Sequence, residues 1–254
     1  MSRRSRLLRA LSLPVLTAVA VLVPAAPAAA PGVATAALTR HVAGPDAVTA
    51  GTTITTSTGA SYAFSSVVGG RPVRWNPCAT MHWRANVMRA PVGGLDVLKA
   101  AVASIAAATG TTWVFDGTTT AAPSSGWLPS TSTVKPVLIG WTDGTSSDLL
   151  RYQPASVLGM TRTVWFGRTG STGTVAATRG AVVALDRTNR LPLRGTSSWS
   201  AVALHELGHA MGLAHPHDSG ELMNAVLPTA LSGLQAGDRR GLYYLGRSQG
   251  CISL

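Results

Sequence analysis

The sequence predicts an α+β domain with α/β-type layering, one sheet carrying a few helices. Three observations predict it. Short apolar or alternating runs recur between turn signals from residue 80 to residue 186. Residues 95–110 and 197–212 instead carry apolar residues at helical spacing, and 231–246 does so near the end. The order is therefore strand, helix, several strands, helix, helix, with no internal repeat.

The first 30 residues stand outside that domain. Met1 to Arg9 carries four arginines, Leu11 to Val23 is mostly apolar, and "VPAAPAAAPGVATAA" follows. Basic, apolar, then Ala-x-Ala is the order of a secretory signal peptide, so the mature protein is expected outside the cell. The apolar run is short for a spanning helix and is interrupted by Pro14, so a signal anchor is the weaker reading. No second long apolar stretch occurs, and no membrane span is expected in the mature form. Residues 31–70 are rich in Ala, Thr, Gly and Ser and read as a pro-segment or linker. The folded domain is expected over 71–254.

Within it, "TMHWRANV" (80–87) alternates as a strand does. "LDVLKAAVASIAAATG" (95–110) reads as a helix with Leu95, Leu98, Val102, Ile105 and Ala106 on one face and Gly110 as its stop. "TTWVFDG" (111–117), "VKPVLIGW" (134–141), "VLGMTRTVWFG" (157–167) and "GAVVALD" (180–186) read as strands. "SSWSAVALHELGHAMG" (197–212) is a helix that Ser197 or Ser198 can cap. "LSGLQAGDRRGLYYLG" (231–246) is a third.

The formal charge of +11 falls to +7 once Arg3, Arg4, Arg6 and Arg9 leave with the leader. The remaining arginines are scattered, which argues against a nucleic-acid partner. Two cysteines, Cys78 and Cys251, in an exported chain suggest one disulfide, with two free thiols as the alternative.

"HELGHAMGLAH" (205–215) holds three of the chain's six histidines and one of its two glutamates. On a helix His205 and His209 point the same way, so two imidazoles can share one Zn2+ ion. Glu206 is offset, as suits a carboxylate that works on water without ligating the metal. Gly212 can turn the chain with positive φ and bring His215 back as a third ligand. Three neutral nitrogens leave a fourth position open, the pattern of a catalytic site. A lone helical histidine is ordinarily structural, but the full H-E-x-x-H-x-x-G-x-x-H pattern arises by chance on the order of once in a few hundred thousand such chains.

This extended motif resembles the metzincin zinc metallopeptidases. Met223, eight residues after His215, stands where they place a methionine turn, and the short gap is similar to the matrixin branch of bacterial secreted type. The resemblance implies a twisted, mostly parallel sheet of about five strands with three helices and zinc in a cleft. It implies a secreted endopeptidase with Glu206 as general base and a protein or peptide as substrate. "VLGMTRTVWF" resembles the edge strand that lines the substrate cleft, which places Val157, Leu158 and Gly159 there. Ala201, four residues before His205, falls at the floor of the pocket for the side chain after the cut. Asp238 falls where an acidic residue braces the methionine turn. The loop that holds further metals in matrixins has Asp143 and Asp148 but no histidine, and Met160 replaces one, which leaves at most Ca2+ and argues against structural zinc. A monomer is expected. The rival readings are a catalytically silent zinc-stabilised binding or adhesion protein, and a basic wall-associated structural protein. His82, His217, Asp116, Asp186 and Asp218 read as surface or turn residues.

Overall fold

The computed structural model describes residues 15–22, 54–55, 59–170, 173–218 and 220–252. The remainder of the leader and most of residues 31–58 lie outside the described residues. The main sheet has six strands. Four run parallel: β6 (Met81–Asn86), β7 (Trp113–Thr118), β8 (Val137–Thr142) and β10 (Gly173–Asp186). β9 (Val157–Gly170) lies antiparallel to β10, and β1 (Val15–Leu22) lies antiparallel to β9. Five strands of the domain thus form the mostly parallel sheet, and the apolar centre of the leader adds the sixth at its edge.

Both faces of the sheet are covered, and the period of two sorts its side chains. Val137, Ile139 and Trp141 of β8, with Ala181, Val183 and Leu185 of β10, enter the larger core. That core is closed by α1 (Gly94–Thr109) and α2 (Trp199–Met211). The intervening Leu138, Val182 and Ala184 enter a second cluster with Leu149, Leu150, Val157 and Met160. Near-continuous apolar runs in β8 and β10 are what such two-sided burial requires. In α1 the buried face is Val97, Leu98, Ala101, Val102 and Ile105, while Leu95 is only partly buried. Gly110 ends the helix in the left-handed region at φ 68°, its N–H donating to the Ala106 carbonyl.

The third helix is shorter than the periodicity suggests. α3 spans Ala236–Leu245, because Asp238 accepts from the Gln235 N–H and fixes the helix start there. Leu234, just before it, enters the core instead. Four short strands complete the fold: β2 (Ile54–Thr55), β3 (Ser61–Phe64), β4 (Val67–Val68) and β5 (Arg71–Pro72). A fifth, β11 (Leu213–Ala214), pairs with β3, and Tyr62 and Phe64 of β3 enter the larger core. The chain is therefore packed on the domain from Ser61 onward.

The Asp143–Asp148 loop is held by protein groups. Asp143 Oδ1 accepts from Thr145 Oγ1 (2.6 Å), Thr145 N (3.1 Å) and Ser146 N (3.2 Å). Its Oδ2 takes Arg187 Nε at 2.8 Å and also Arg89 Nη1. Asp148 accepts from Ser125 and pairs with Arg162 at 3.6 Å. The Thr145 hydroxyl first, then Arg187 and Arg89, hold the Asp143 carboxyl well below the usual carboxylate range. A folded-state pKa below the unfolded one gives stability that is present above the unfolded value and lost as pH falls through the folded one. Asp143→Asn is therefore expected to cost about 1–2 kcal/mol at pH 7, since both arginines are partly exposed. Urea titrations of the two proteins should converge as the pH falls below about 3.8, the ordinary value for aspartate.

Candidate metal centre

α2 is buried along its length except at Ser200, which is partly exposed. Ser198 caps it, its hydroxyl accepting from the Ala201 N–H. The helix stops at Gly212, φ 119°, whose N–H reaches the carbonyls of Gly208 and His209. A Cβ there would stand 2.9 Å from the Val73 carbonyl oxygen, so a side chain is excluded by conformation and by space. The reversal carries the chain through β11 and returns His215 to the helix.

The three Nε2 atoms converge. His205 and His209 are 2.8 Å apart, His209 and His215 3.0 Å, and His205 and His215 3.2 Å. Backbone carbonyls fix two of the rings from behind: His205 Nδ1 donates to Leu222 O at 2.7 Å, and His209 Nδ1 to Leu213 O at 2.8 Å. A carbonyl can only accept, so both rings carry their proton on Nδ1 and turn a lone pair inward from Nε2. Two lone pairs at 2.8 Å repel unless a cation lies between them. Nitrogens of a tetrahedral zinc site stand about 3.3 Å apart, close to these spacings. Burial pushes the His205 pKa down to about 4 and His209 well below its ordinary value, so both are neutral at pH 7, as metal ligands must be. Among the described residues this is the one group of three that could hold a metal ion.

Met223 lies beneath, 1% exposed, with its sulfur against Gly208; a Cβ on Gly208 would be 2.4 Å from Sδ. Asp238 holds that turn, accepting from Leu222 N (2.8 Å) and Met223 N (3.1 Å). Glu221 answers from the other side, accepting from Gly237 N and Asp238 N at 3.0 Å each. Two buried carboxylates thus bind reciprocally, Asp238 the two N–H groups after Glu221 and Glu221 those of Gly237 and Asp238, and lock the methionine turn to α3. Desolvation raises the Asp238 pKa to about 6, against the pull of its three N–H donors.

A matrixin family model matches residues 111–245, just over half of the chain. The chain belongs to the matrixin family. No curated protein matches it. Family membership makes it a metallopeptidase of a zinc-using kind, with protein as its substrate class.

In this matrixin Glu206 is wholly buried beside the histidines. Thr161 Oγ1 donates to its Oε2, and also to its backbone carbonyl at 3.0 Å. Gly159 makes room for it: a Cβ there would stand 2.9 Å from Cγ and Oε1. Val157 and Leu158 turn their side chains into the two cores. Ala201 is buried within the larger core. Cys78 and Cys251 form a disulfide well away from the histidines in the chain. His82 pairs with Asp116 at 2.8 Å, Asp186 caps a turn at Thr188, and Asp218 accepts from Gly220 N. His217 is exposed. None of these joins the cluster. Gly159 was expected in the substrate cleft, but its contact with Glu206 was not; Thr161 and Glu221 were not singled out, although Glu221 is the second of only two glutamates in the chain.

Proposed function

We propose that this matrixin is an exported zinc endopeptidase, with His205, His209 and His215 as ligands and Glu206 as general base. The observation that carries the reading is the convergence of three imidazole Nε2 atoms beside a buried, oriented carboxylate. Zinc held there supplies Lewis acidity, which acidifies a water and polarises a peptide carbonyl. Glu206 takes the proton of the attacking water and returns it to the leaving amine nitrogen. Thr161 keeps that carboxylate in one orientation, and Met223 with Asp238 keeps the imidazole cradle from below.

Substrate would lie extended along Val157–Thr161 and add a strand by backbone hydrogen bonds. β1 supports this, because it already lies antiparallel on β9 from Val157 to Trp165. Removal of the leader would vacate that edge. The family resemblance would put Ala201 at the floor of the pocket for the side chain after the cut, which suggests an apolar preference there. Export is supported by the leader pattern and by a disulfide, and among the described residues no helix is long and apolar enough to cross a membrane.

The test is digestion of an unstructured protein such as casein by residues 31–254, with and without a zinc chelator. Cleavage that the chelator abolishes and added zinc restores, with apolar side chains following the cuts, is the expected result. A zinc-loaded chain that cleaves nothing would favour a binding protein on the same frame. Gly159→Ala gives a finer check. The added methyl displaces Glu206, and a misplaced catalytic group loses roughly tenfold to a hundredfold in rate. Activity should fall by that much while thermal stability and zinc content hold.

A further inference from the structure

A second cavity lies at the carboxyl ends of β6, β8 and β10, with a volume of about 320 Å³. Arg89, Arg187 and Arg190 line it, with Asn189 and Trp141. Asp143, which pairs with Arg89 and Arg187, leaves an excess of two positive charges there. Arg190 makes no ion pair among the described residues. Trp141 is 1% exposed, and its indole N–H is buried with no partner. That N–H has no accessible surface and is not open to the cavity, so the polar groups a ligand could meet there are the three guanidinium groups and the Asn189 amide. The side-chain set offers donors and no carboxylate of its own. Pro91, Leu191 and Trp199 supply an apolar floor. Such a set suits a short aliphatic stem ending in a carboxylate.

The cavity is joined to the cleft. Asn189 Nδ2 donates to the carbonyl of Val157, the first residue of β9. Glu206 abuts Gly159, so the cut falls near that register. A chain lying antiparallel to β9, as β1 does, runs toward Val157 in its own N-to-C direction. Its residues downstream of the cut therefore leave the sheet edge beside the arginines. Gly159 and Val157 are separated by about 7 Å of strand, which puts the cavity about two to four residues past the cut.

We propose that this cavity is a specificity subsite that takes a glutamate or aspartate side chain two to four residues downstream of the cleaved bond. The proposal rests on the endopeptidase reading for its register and on the cavity itself for its chemistry. Two peptide sets, built on sites mapped in the casein digest, test it. They differ only in Glu against Gln at those positions. The exported, zinc-loaded chain should prefer Glu by about tenfold in kcat/KM at low salt, less at high salt. Arg190→Gln, which breaks no ion pair, should remove most of the preference while cleavage of the Gln peptide is unchanged. Arg187→Gln is the second variant, with its folding checked first. Binding is read separately in zinc-loaded Glu206→Gln by tryptophan fluorescence, with inorganic sulfate as a competitor. Cleavage without any Glu preference, or a preference that Arg190→Gln leaves intact, overturns the subsite and spares the peptidase. Tighter, Arg190-dependent binding of the Glu peptide without cleavage by the unsubstituted chain sustains the subsite and overturns the peptidase reading. Binding of sulfate alone, with no difference between the peptides, overturns the subsite.

Discussion

Glu206→Gln should lower kcat/KM for an unstructured protein by about a thousandfold or more, with one zinc still bound per chain and the fold intact. Three features of the site make the loss this large. The carboxylate is wholly buried, so bulk water is poorly placed to stand in as the base. It is held by Thr161 Oγ1, so no nearby side chain has the same position and proton affinity. Its neighbours His205 and His209 donate from Nδ1 to carbonyls and have no proton to lose toward the cleft. Glutamine keeps the shape and can still accept from Thr161, so stability should change by little more than about 1 kcal/mol. The decisive comparison is zinc content against rate. A variant that holds zinc and still cleaves at more than a tenth of the original rate would mean that the proton goes elsewhere. A variant that has lost both zinc and fold would make Glu206 a structural residue, and Glu206→Asp would then decide whether any carboxylate at that depth restores the rate.

How much of this was legible in the sequence depends on the range of each contact. His205 and His209 are one helical turn apart, so local geometry alone aligns them. His215 needed one further fact, a glycine able to adopt positive φ, and Gly212 supplies it at 119°. Asp238 was legible only through resemblance, because it reaches Leu222 and Met223 across 16 and 15 residues. Gly159 was legible through resemblance as a residue of the substrate cleft, but its close approach to Glu206 was not, and Glu221 and Thr161 were not legible. Thr161 meets Glu206 across 45 residues, and nothing in a threonine within a strand marks it out. The strands β8, β9 and β10 show in their composition. β3 and β11 do not, because two paired residues at Leu213–Ala214 carry no periodicity. The arginines of the second cavity lie at 89, 187 and 190, a scatter that folding gathers at one end of the sheet around Asp143.

The largest effect on stability is expected from the disulfide. Cys78 and Cys251 are 173 residues apart, so the bond closes nearly the whole domain into one loop. On loop-closure entropy a ring of that length is worth on the order of 5 kcal/mol, as an upper figure. For a domain of this size that corresponds to a fall in Tm on the order of 10–20 °C. The folded geometry does not depend on the bond alone. Asn76 Oδ1 accepts from both Cys78 N (3.2 Å) and Ile252 N (3.1 Å), and Arg74 Nη2 donates to the carbonyls of Gln249 and Gly250. These contacts keep the C-terminal segment docked when the sulfurs are gone. The double variant Cys78→Ser/Cys251→Ser should therefore hold its zinc and cleave normally at 25 °C, yet unfold at much lower temperature. Reductant should bring the unsubstituted protein to the same Tm and leave the variant unmoved, because in both cases the unfolded chain gains the same freedom. A drop of less than about 2 °C would mean that residual structure in the unfolded chain already holds the ends together. A loss of activity at 25 °C would mean instead that the bond shapes the folded site, through Trp75 Nε1 and its hydrogen bond to the Ala210 carbonyl of α2.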